Sequence, residues 1–247
     1  MLTQEWRQWL RLNRARGCCP ETLFEQAVAS GLDPADVARV LMDPPLTDPL
    51  QQPRAWRLDT DLAQIYEIPE LLSREDCAAL IQAIDRGLVR SRVTQGLEEW
   101  RTSRTCHLST IDPALTQRIE TQLRLLIGTR ETSVDPLQGQ RYDPGDYFRA
   151  HTDWFAPDTE EYVQHARAGG QRTWTVMVYL NQVEEGGQTV FPLIGRSFTP
   201  VAGMGLAWNN LHADGQPNHA TLHEALAVQR GCKYVITKWF REEGLTS

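Results

Sequence analysis

Apolar residues near the start of the chain recur at helical spacing. Trp6, Trp9, Leu10 and Leu12 fall roughly on one face, and Leu23, Phe24, Ala27 and Val28 on another. Val37, Val40 and Leu41 follow Asp33-Pro34, a cap followed by a first helical residue. Pro20 suits the first position of the second segment and Gly31 its end, so residues 3–42 are predicted to form three short helices. The pattern then stops, and residues 43–53 hold four prolines and read as a linker. Helical spacing returns twice. Ser73-Arg74-Glu75-Asp76 reads as a cap before Cys77, Leu80, Ile81 and Ile84, with Gly87 as the stop. Pro113–Ile127 places Leu115, Ile119, Leu123 and Leu126 on one face. Residues 88–103 between them are polar and aperiodic, the texture of a mobile loop.

From about residue 136 the texture changes to strands. Residues 173–180, 189–192, 203–208 and 233–240 are rich in β-branched and aromatic residues, and Glu185-Gly186-Gly187-Gln188 reads as a turn. Short strands divided by Gly and Pro predict a sandwich or jelly roll. The expected organisation is a small helical module over 1–45, a linker over 46–56 and an α+β domain over 57–245. Within that domain, helical support spans 73–127 and the jelly roll about 136–242. The module is either a surface for a protein partner or an appendage packed on the main domain.

At 247 residues the chain suits one large domain, or one domain with an appendage, and 41% hydrophobic residues are enough to fill its core. A net charge of −7 argues against nucleic acid and anionic membrane surfaces as partners. No apolar run approaches the roughly 18 residues of a membrane span. Charges begin at Glu5 with no apolar stretch ahead of them, unlike a secretory signal. Five cysteines without a CxxC pair fit a reducing, cytoplasmic setting.

His151-Thr152-Asp153 sets an imidazole and a carboxylate two residues apart, on one face of an extended segment. Such a pair alone is more often a hydrogen-bonded surface couple. With a second, distant histidine, His223, it becomes a two-histidine, one-carboxylate set that can hold one side of an iron(II) ion. His107, His165, His212 and His219 have no comparable setting. Lys233 sits in an otherwise apolar run, where a buried ammonium needs an anion unless it snorkels to solvent. Tyr142 and Thr189 could donate hydroxyls to the same anion. Cys232 and Trp208 read as core, Trp208 alternatively as pocket wall.

Several spaced motifs then resemble the catalytic domain of prolyl 4-hydroxylases. They are Gln140-Arg141-Tyr142-Asp143-Pro144-Gly145-Asp146-Tyr147, His151-Thr152-Asp153, Gly169-Gly170-Gln171-Arg172, Tyr179-Leu180-Asn181, the run from Glu184 to Pro192, His223, Lys233 and Lys238-Trp239. Arg104-Thr105-Cys106 resembles that family's Arg-Thr-Ser element. The similarity covers roughly residues 57–242. It implies a double-stranded β-helix with supporting helices. It also implies a dioxygenase that uses Fe(II), 2-oxoglutarate and O2, with ascorbate as an accompanying reductant. His151, Asp153 and His223 match the family's metal ligands. Lys233 matches the residue that pairs with the distal carboxylate of 2-oxoglutarate, and Tyr142 and Thr189 match its hydrogen-bonding partners. Arg172 and Trp239 match positions near the substrate, and the loop from 88 to 101 matches the segment that closes over a peptide. Related halogenases lack the carboxylate at Asp153, so its presence implies hydroxylation.

The match departs from the family at Phe148 and Ala150, where a tyrosine and a proline are usual, and Phe148 therefore becomes a candidate substrate contact. Three extra residues also separate Asp153 from Gly170. The leading expectation is hydroxylation of an unactivated C–H of a prolyl residue in a peptide or protein. The alternatives are a hydroxylase of a free or carrier-bound, proline-like amino acid, whose carboxylate Arg172 could grip, and a non-catalytic metal- or ligand-binding jelly roll.

Overall fold

The structure is a computed structural model that describes residues 2–15, 18, 20–42, 55–91, 100–128, 135–157, 159–166, 169–212 and 214–242. It opens with α1 (Gln4–Ala15), α2 (Pro20–Ala29) and α3 (Pro34–Met42). Asp33 caps α3, its Oδ1 accepting the Asp36 N–H at 3.0 Å. Leu10, Leu23, Ala27, Val37, Val40 and Leu41 bury together, and Trp6 and Trp9 meet edge to face beside them. The side chain of Leu12 lies outside the described residues. So does the expected linker, apart from its last two positions, of which Trp56 already begins a strand.

The remaining elements run β1 (Trp56–Arg57), β2 (Ile65–Ile68), α4 (Arg74–Arg86), β3 (Val89–Arg90), β4 (Arg104–His107), α5 (Pro113–Ile127), β5 (Gln138–Tyr142), β6 (Phe148–His151), α6 (Glu160–Ala166) and β7 (Arg172–Tyr179). Then follow β8 (Glu185–Gly186), β9 (Thr189–Phe191), β10 (Arg196–Phe198), β11 (Gly205–Asn209), β12 (His223–Ala225), β13 (Val228–Arg230) and β14 (Lys233–Arg241). An eight-stranded sheet has the order β1-β2-β11-β7-β14-β5-β4-β3, and a four-stranded sheet the order β10-β9-β12-β6. A ribbon of β13 and β8 completes the strands. This is the α+β jelly roll expected from the strand pattern.

Alternation along the two central strands separates structure from chemistry, because successive side chains point to opposite faces. On β7, Trp174, Val176 and Val178 pack with α4 and α5, as do Tyr234, Ile236 and Phe240 on β14. That layer includes Leu80, Ile84, Ile119 and Leu123, none of them exposed. Burying each such side chain contributes roughly 1.5–3 kcal/mol. The odd-numbered residues of both strands, Met177, Tyr179, Lys233, Val235, Thr237 and Trp239, face the interior of the jelly roll. The helices are set by their ends. Ser73 Oγ accepts the Asp76 N–H at 3.0 Å, and Asp112 Oδ1 accepts that of Leu115 at 3.1 Å.

Two expectations change. The polar stretch 88–103 is not all loop, since Val89 and Arg90 pair with Thr105 and Arg104, and Arg101 bridges to Phe148. Arg101 and Ser103 are buried, because they answer to partners distant in sequence rather than to a local pattern. Residues 92–99 lie outside the described residues. The expected turn at 185–188 instead carries β8, paired with β13. The approach is close enough that a Cβ on Gly186 would meet the Ala227 carbonyl oxygen at 2.3 Å, and Gly186 and Gly187 both take left-handed φ values.

Candidate active site

β6 and β12 are antiparallel neighbours that place His151 opposite His223, with ring centres 4.3 Å apart. Asp153 follows two residues beyond the end of β6. Its Oδ1 lies 4.0 Å from His151 Nε2 and its Oδ2 3.8 Å from His223 Nε2. One ligand atom from each residue falls within 4.8 Å of the others, and no other such group occurs among the described residues. His219 instead packs edge-on against Trp154.

Hydrogen bonds fix what these groups offer. His151 Nδ1 lies 2.8 Å from the Arg149 carbonyl, and His223 Nδ1 lies 2.9 Å from that of Thr221. A carbonyl only accepts, so both Nδ1 atoms carry hydrogen and both Nε2 atoms are turned toward Asp153. Burial and the neighbouring His223 push the His151 imidazole down to about 3, so it stays neutral at physiological pH. Burial works to raise the Asp153 pKa. The two imidazoles, Arg172 and the Thr175 hydroxyl outweigh it and hold Asp153 below the usual carboxylate range. Two imidazoles and a carboxylate suit a divalent first-row metal such as iron(II).

Aromatic walls hold the rings. Phe148 stacks on His151 with ring centres 3.6 Å apart, and Trp208 and Phe191 lie at 4.8 and 5.5 Å from the His223 ring. Two cavities meet here, the inner one lined by all three candidate ligands and the outer one by His151 and Asp153. The inner one is lined by Tyr142, Thr189, Lys233, Gln140, Thr237 and Trp208 among others. Lys233 is 1% exposed, and its Nζ lies 3.5 Å from Thr189 Oγ1 with no carboxylate in ion-pair range among the described residues. The Tyr142 hydroxyl donates to Gln140 Oε1 at 2.9 Å. The outer cavity is a groove of about 500 Å³ lined by Trp100, Arg101, Phe148, Trp154, Phe155, Arg172 and Trp239 among others. Lys233, Tyr142 and Thr189 therefore meet in the inner cavity, Arg172 lines the groove, and Phe148 and Trp239 line both.

Asp135 organises the groove. It takes Arg172 Nε and Nη2, each at 3.3 Å, and also pairs with Arg241. Arg172 is thereby laid over Trp239 and Phe155, at 4.3 and 4.9 Å from the ring centres. Asp135 was not legible in the sequence, because both partners are more than thirty residues away.

The Arg-Thr-Ser element needs a correction. Arg104 pairs with Asp143 near the surface, and Cys106 is buried in the core beside α4. It is Arg101-Thr102-Ser103, three residues earlier, that faces the site. Arg101 Nε donates to Ser103 Oγ at 2.9 Å, its guanidinium lies over Phe148, and it lines both cavities. The signal was a literal Arg-Thr-Ser, masked by a second Arg-Thr immediately after it.

Residues 137–241 match the family model for the 2OG-Fe(II) oxygenase superfamily. The match covers less than half of the chain and contains all three metal-binding candidates. Its curated relatives include prolyl 4-hydroxylase subunit alpha-1 of Mus musculus, 33% identical over 161 residues, or 64% of this chain and 30% of the relative. The Gallus gallus counterpart is 28% identical over 79% of this chain and 38% of its own length. The chain thus spans about a third of the length of such relatives. Among solved structures, the viral collagen prolyl hydroxylase of Paramecium Bursaria Chlorella virus-1, as a 2OG complex, is similar with a TM-score of 0.56 at 24% identity, covering 72% of this chain and 94% of that one. A Trichoplax adhaerens prolyl hydroxylase, in complex with a peptide fragment of a hypoxia inducible factor degradation domain, gives a TM-score of 0.51 at 16% identity over 73% and 84%. These likenesses agree with the double-stranded β-helix. The donor set of His151, Asp153 and His223 fits Fe(II).

Proposed function

We propose that the chain is an iron(II)- and 2-oxoglutarate-dependent hydroxylase acting on an unactivated C–H of a prolyl residue in a peptide or protein. The observation that carries this reading is the placement of His151, Asp153 and His223 where a buried cation pocket meets an open aromatic groove. Bound iron and 2-oxoglutarate, with O2, supply hydroxylation of the substrate, and 2-oxoglutarate leaves as succinate and CO2.

In this reading His151, Asp153 and His223 would hold the metal, with the cavities beside them left for 2-oxoglutarate and substrate. Lys233, Thr189 and Tyr142 hold the distal carboxylate of 2-oxoglutarate, which gives the buried ammonium its missing anion. Phe191 and Trp208 exclude water from His223. Phe148, Arg172 and Trp239 form the bed for the substrate. Because Asp135 already balances Arg172, this guanidinium offers a flat, stacked surface rather than a free cation, which suits a neutral peptide chain. Ascorbate as the reductant belongs to the same proposal. So does residence in a reducing compartment, supported by the buried free thiols of Cys77 and Cys106.

One observation favours the second reading, a free or carrier-bound amino acid. Arg101 is 7% exposed and lines both cavities, and no carboxylate pairs with it among the described residues. A substrate carboxylate would satisfy it. Mass spectrometry after incubation with 2-oxoglutarate, iron(II) and O2 separates the two. Gain of one oxygen on proline-containing peptides and none on free proline supports the peptidyl reading. Oxygen on free amino acids alone overturns it in favour of the second.

A further inference from the structure

Thr175 lies in the middle of β7 and is fully buried, as is Asn210 just beyond β11. The Thr175 hydroxyl has a single hydrogen. Asp153 Oδ2, 2.7 Å away, is a carboxylate oxygen and only accepts, so the hydrogen points there. Thr175 Oγ1 must then accept from Asn210, which fixes the Asn210 amide with Nδ2 toward Thr175 at 2.9 Å. The order of donation is Asn210 to Thr175 to Asp153.

The far end of that amide is informative. Asn210 Oδ1 is buried and has no hydrogen-bond partner among the described residues. A buried carbonyl left unsatisfied is destabilising. An apolar residue would avoid that penalty, so the presence of an amide here points to the job done by its NH2.

The backbone holds Asn210 in place. Its N–H donates to the Thr173 carbonyl at 2.7 Å, and its carbonyl accepts the Asn218 N–H at 2.9 Å. The Asn218 carbonyl accepts the Thr221 hydroxyl at 2.7 Å, and the Thr221 carbonyl accepts His223 Nδ1. The connection from β11 to β12 therefore reaches two of the three metal-binding candidates, Asp153 through side chains and His223 through the backbone.

We infer that Asn210 and Thr175 form a positioning relay that ties down Oδ2 of Asp153 and leaves Oδ1, the oxygen nearer His151 Nε2, for the metal. The inference rests on the metal reading above. Neither residue touches the reacting atoms. Both act by setting the orientation of a ligand before the metal arrives, the role that hydrogen-bonded partners of metal ligands commonly play.

The test is titration of the metal-free 247-residue chain with Co(II) alone. Binding is followed by the visible absorption of the ion and by quenching of tryptophan emission, to which Trp208 beside His223 contributes. Thr175→Val keeps the shape and removes the hydroxyl. Asn210→Asp turns a donor into an acceptor and draws the Thr175 hydrogen away from Asp153. Thr175→Ser keeps the hydroxyl. The relay predicts that Thr175→Val and Asn210→Asp weaken Co(II) binding by about 10–100-fold while Thr175→Ser stays within about threefold of wild type. Thermal melting of the metal-free forms reports folding separately, and if Thr175→Val does not fold, Asn210→Asp against Thr175→Ser decides. Wild-type-like affinity in a folded Thr175→Val or Asn210→Asp overturns the relay. A wild-type chain that binds no Co(II) overturns the metal reading itself.

Discussion

Lys233 stands directly across from Tyr142 in the register of β14 and β5, with its ammonium 5.1 Å from the Tyr142 ring centre and 5.4 Å from that of Tyr179. The Thr189 hydroxyl lies 3.5 Å from the ammonium, and burial pushes its pKa down to about 7 from an ordinary 10.5. Between those two values the unfolded chain holds a proton that the folded chain lacks, so stability from this group rises with pH across that window. Below about 7 both states are charged and the burial cost is fully present. Denaturant midpoints of the metal-free wild type should therefore climb more steeply from neutral to alkaline pH than those of Lys233→Met.

The same group gives 2-oxoglutarate binding a pH dependence of opposite direction. The carboxylate requires the ammonium form, so binding should take up a proton and weaken as pH rises above about 7. Calorimetric titrations of the Co(II)-loaded chain in buffers of different ionisation enthalpy measure that proton. Lys233→Ala should lose about 2–5 kcal/mol of 2-oxoglutarate affinity, the usual loss when one partner of a buried charge pair is removed.

Asp135 pairs with both Arg172 and Arg241. Burial raises its pKa, but the two guanidiniums outweigh this and hold it below the usual range. Its contribution to stability is thus present above the ordinary carboxylate value of 3.8 and is lost as pH falls through the folded value. Asp135→Asn leaves two guanidiniums without that charge and should cost about 3–5 kcal/mol in urea unfolding at neutral pH. Freed from Asp135, Arg172 should leave its place over Trp239. Substrate KM is then expected to rise more than 2-oxoglutarate KM.

Gly139 marks where β5 presses on α4. A Cβ there would meet Ile84 Cγ1 at 2.5 Å and Cys106 Sγ at 3.0 Å. Gly139→Ala should destabilise by about 1–3 kcal/mol through overpacking. Pairing it with Ile84→Val should recover part of the loss, and a double-mutant cycle by chemical denaturation checks this.

What the sequence revealed follows from how local each signal is. The cap at Ser73 and the apolar face of Pro113–Ile127 are local signals, so α4 and α5 were legible. Lys233 stood out as an ammonium in an apolar, extended run, and His151, Asp153 and His223 through their spacing and the surrounding motifs that resemble prolyl 4-hydroxylases. Arg101 was missed by a three-residue slip between two adjacent Arg-Thr pairs, which only the pairing with Phe148 resolves. Asp135, Thr175 and Asn210 were not legible, since an acid, a hydroxyl and an amide are ordinary residues until the fold supplies partners 22 to 106 positions away. The strand at Glu185-Gly186 looked like a turn because glycine signals a turn and a close backbone approach in the same way.

The most direct test of the central claim is succinate formation from 2-oxoglutarate under O2 by the iron(II)-loaded chain, wild type beside Asp153→Ala and Lys233→Ala, with proline-containing peptides present. The account predicts peptide-stimulated succinate from wild type only, with both variants folded and reduced by more than about 100-fold, beyond the loss typical of residues that merely orient a ligand. Equal succinate from wild type and Asp153→Ala, or none from a wild type shown to be folded and metal-loaded, would contradict it.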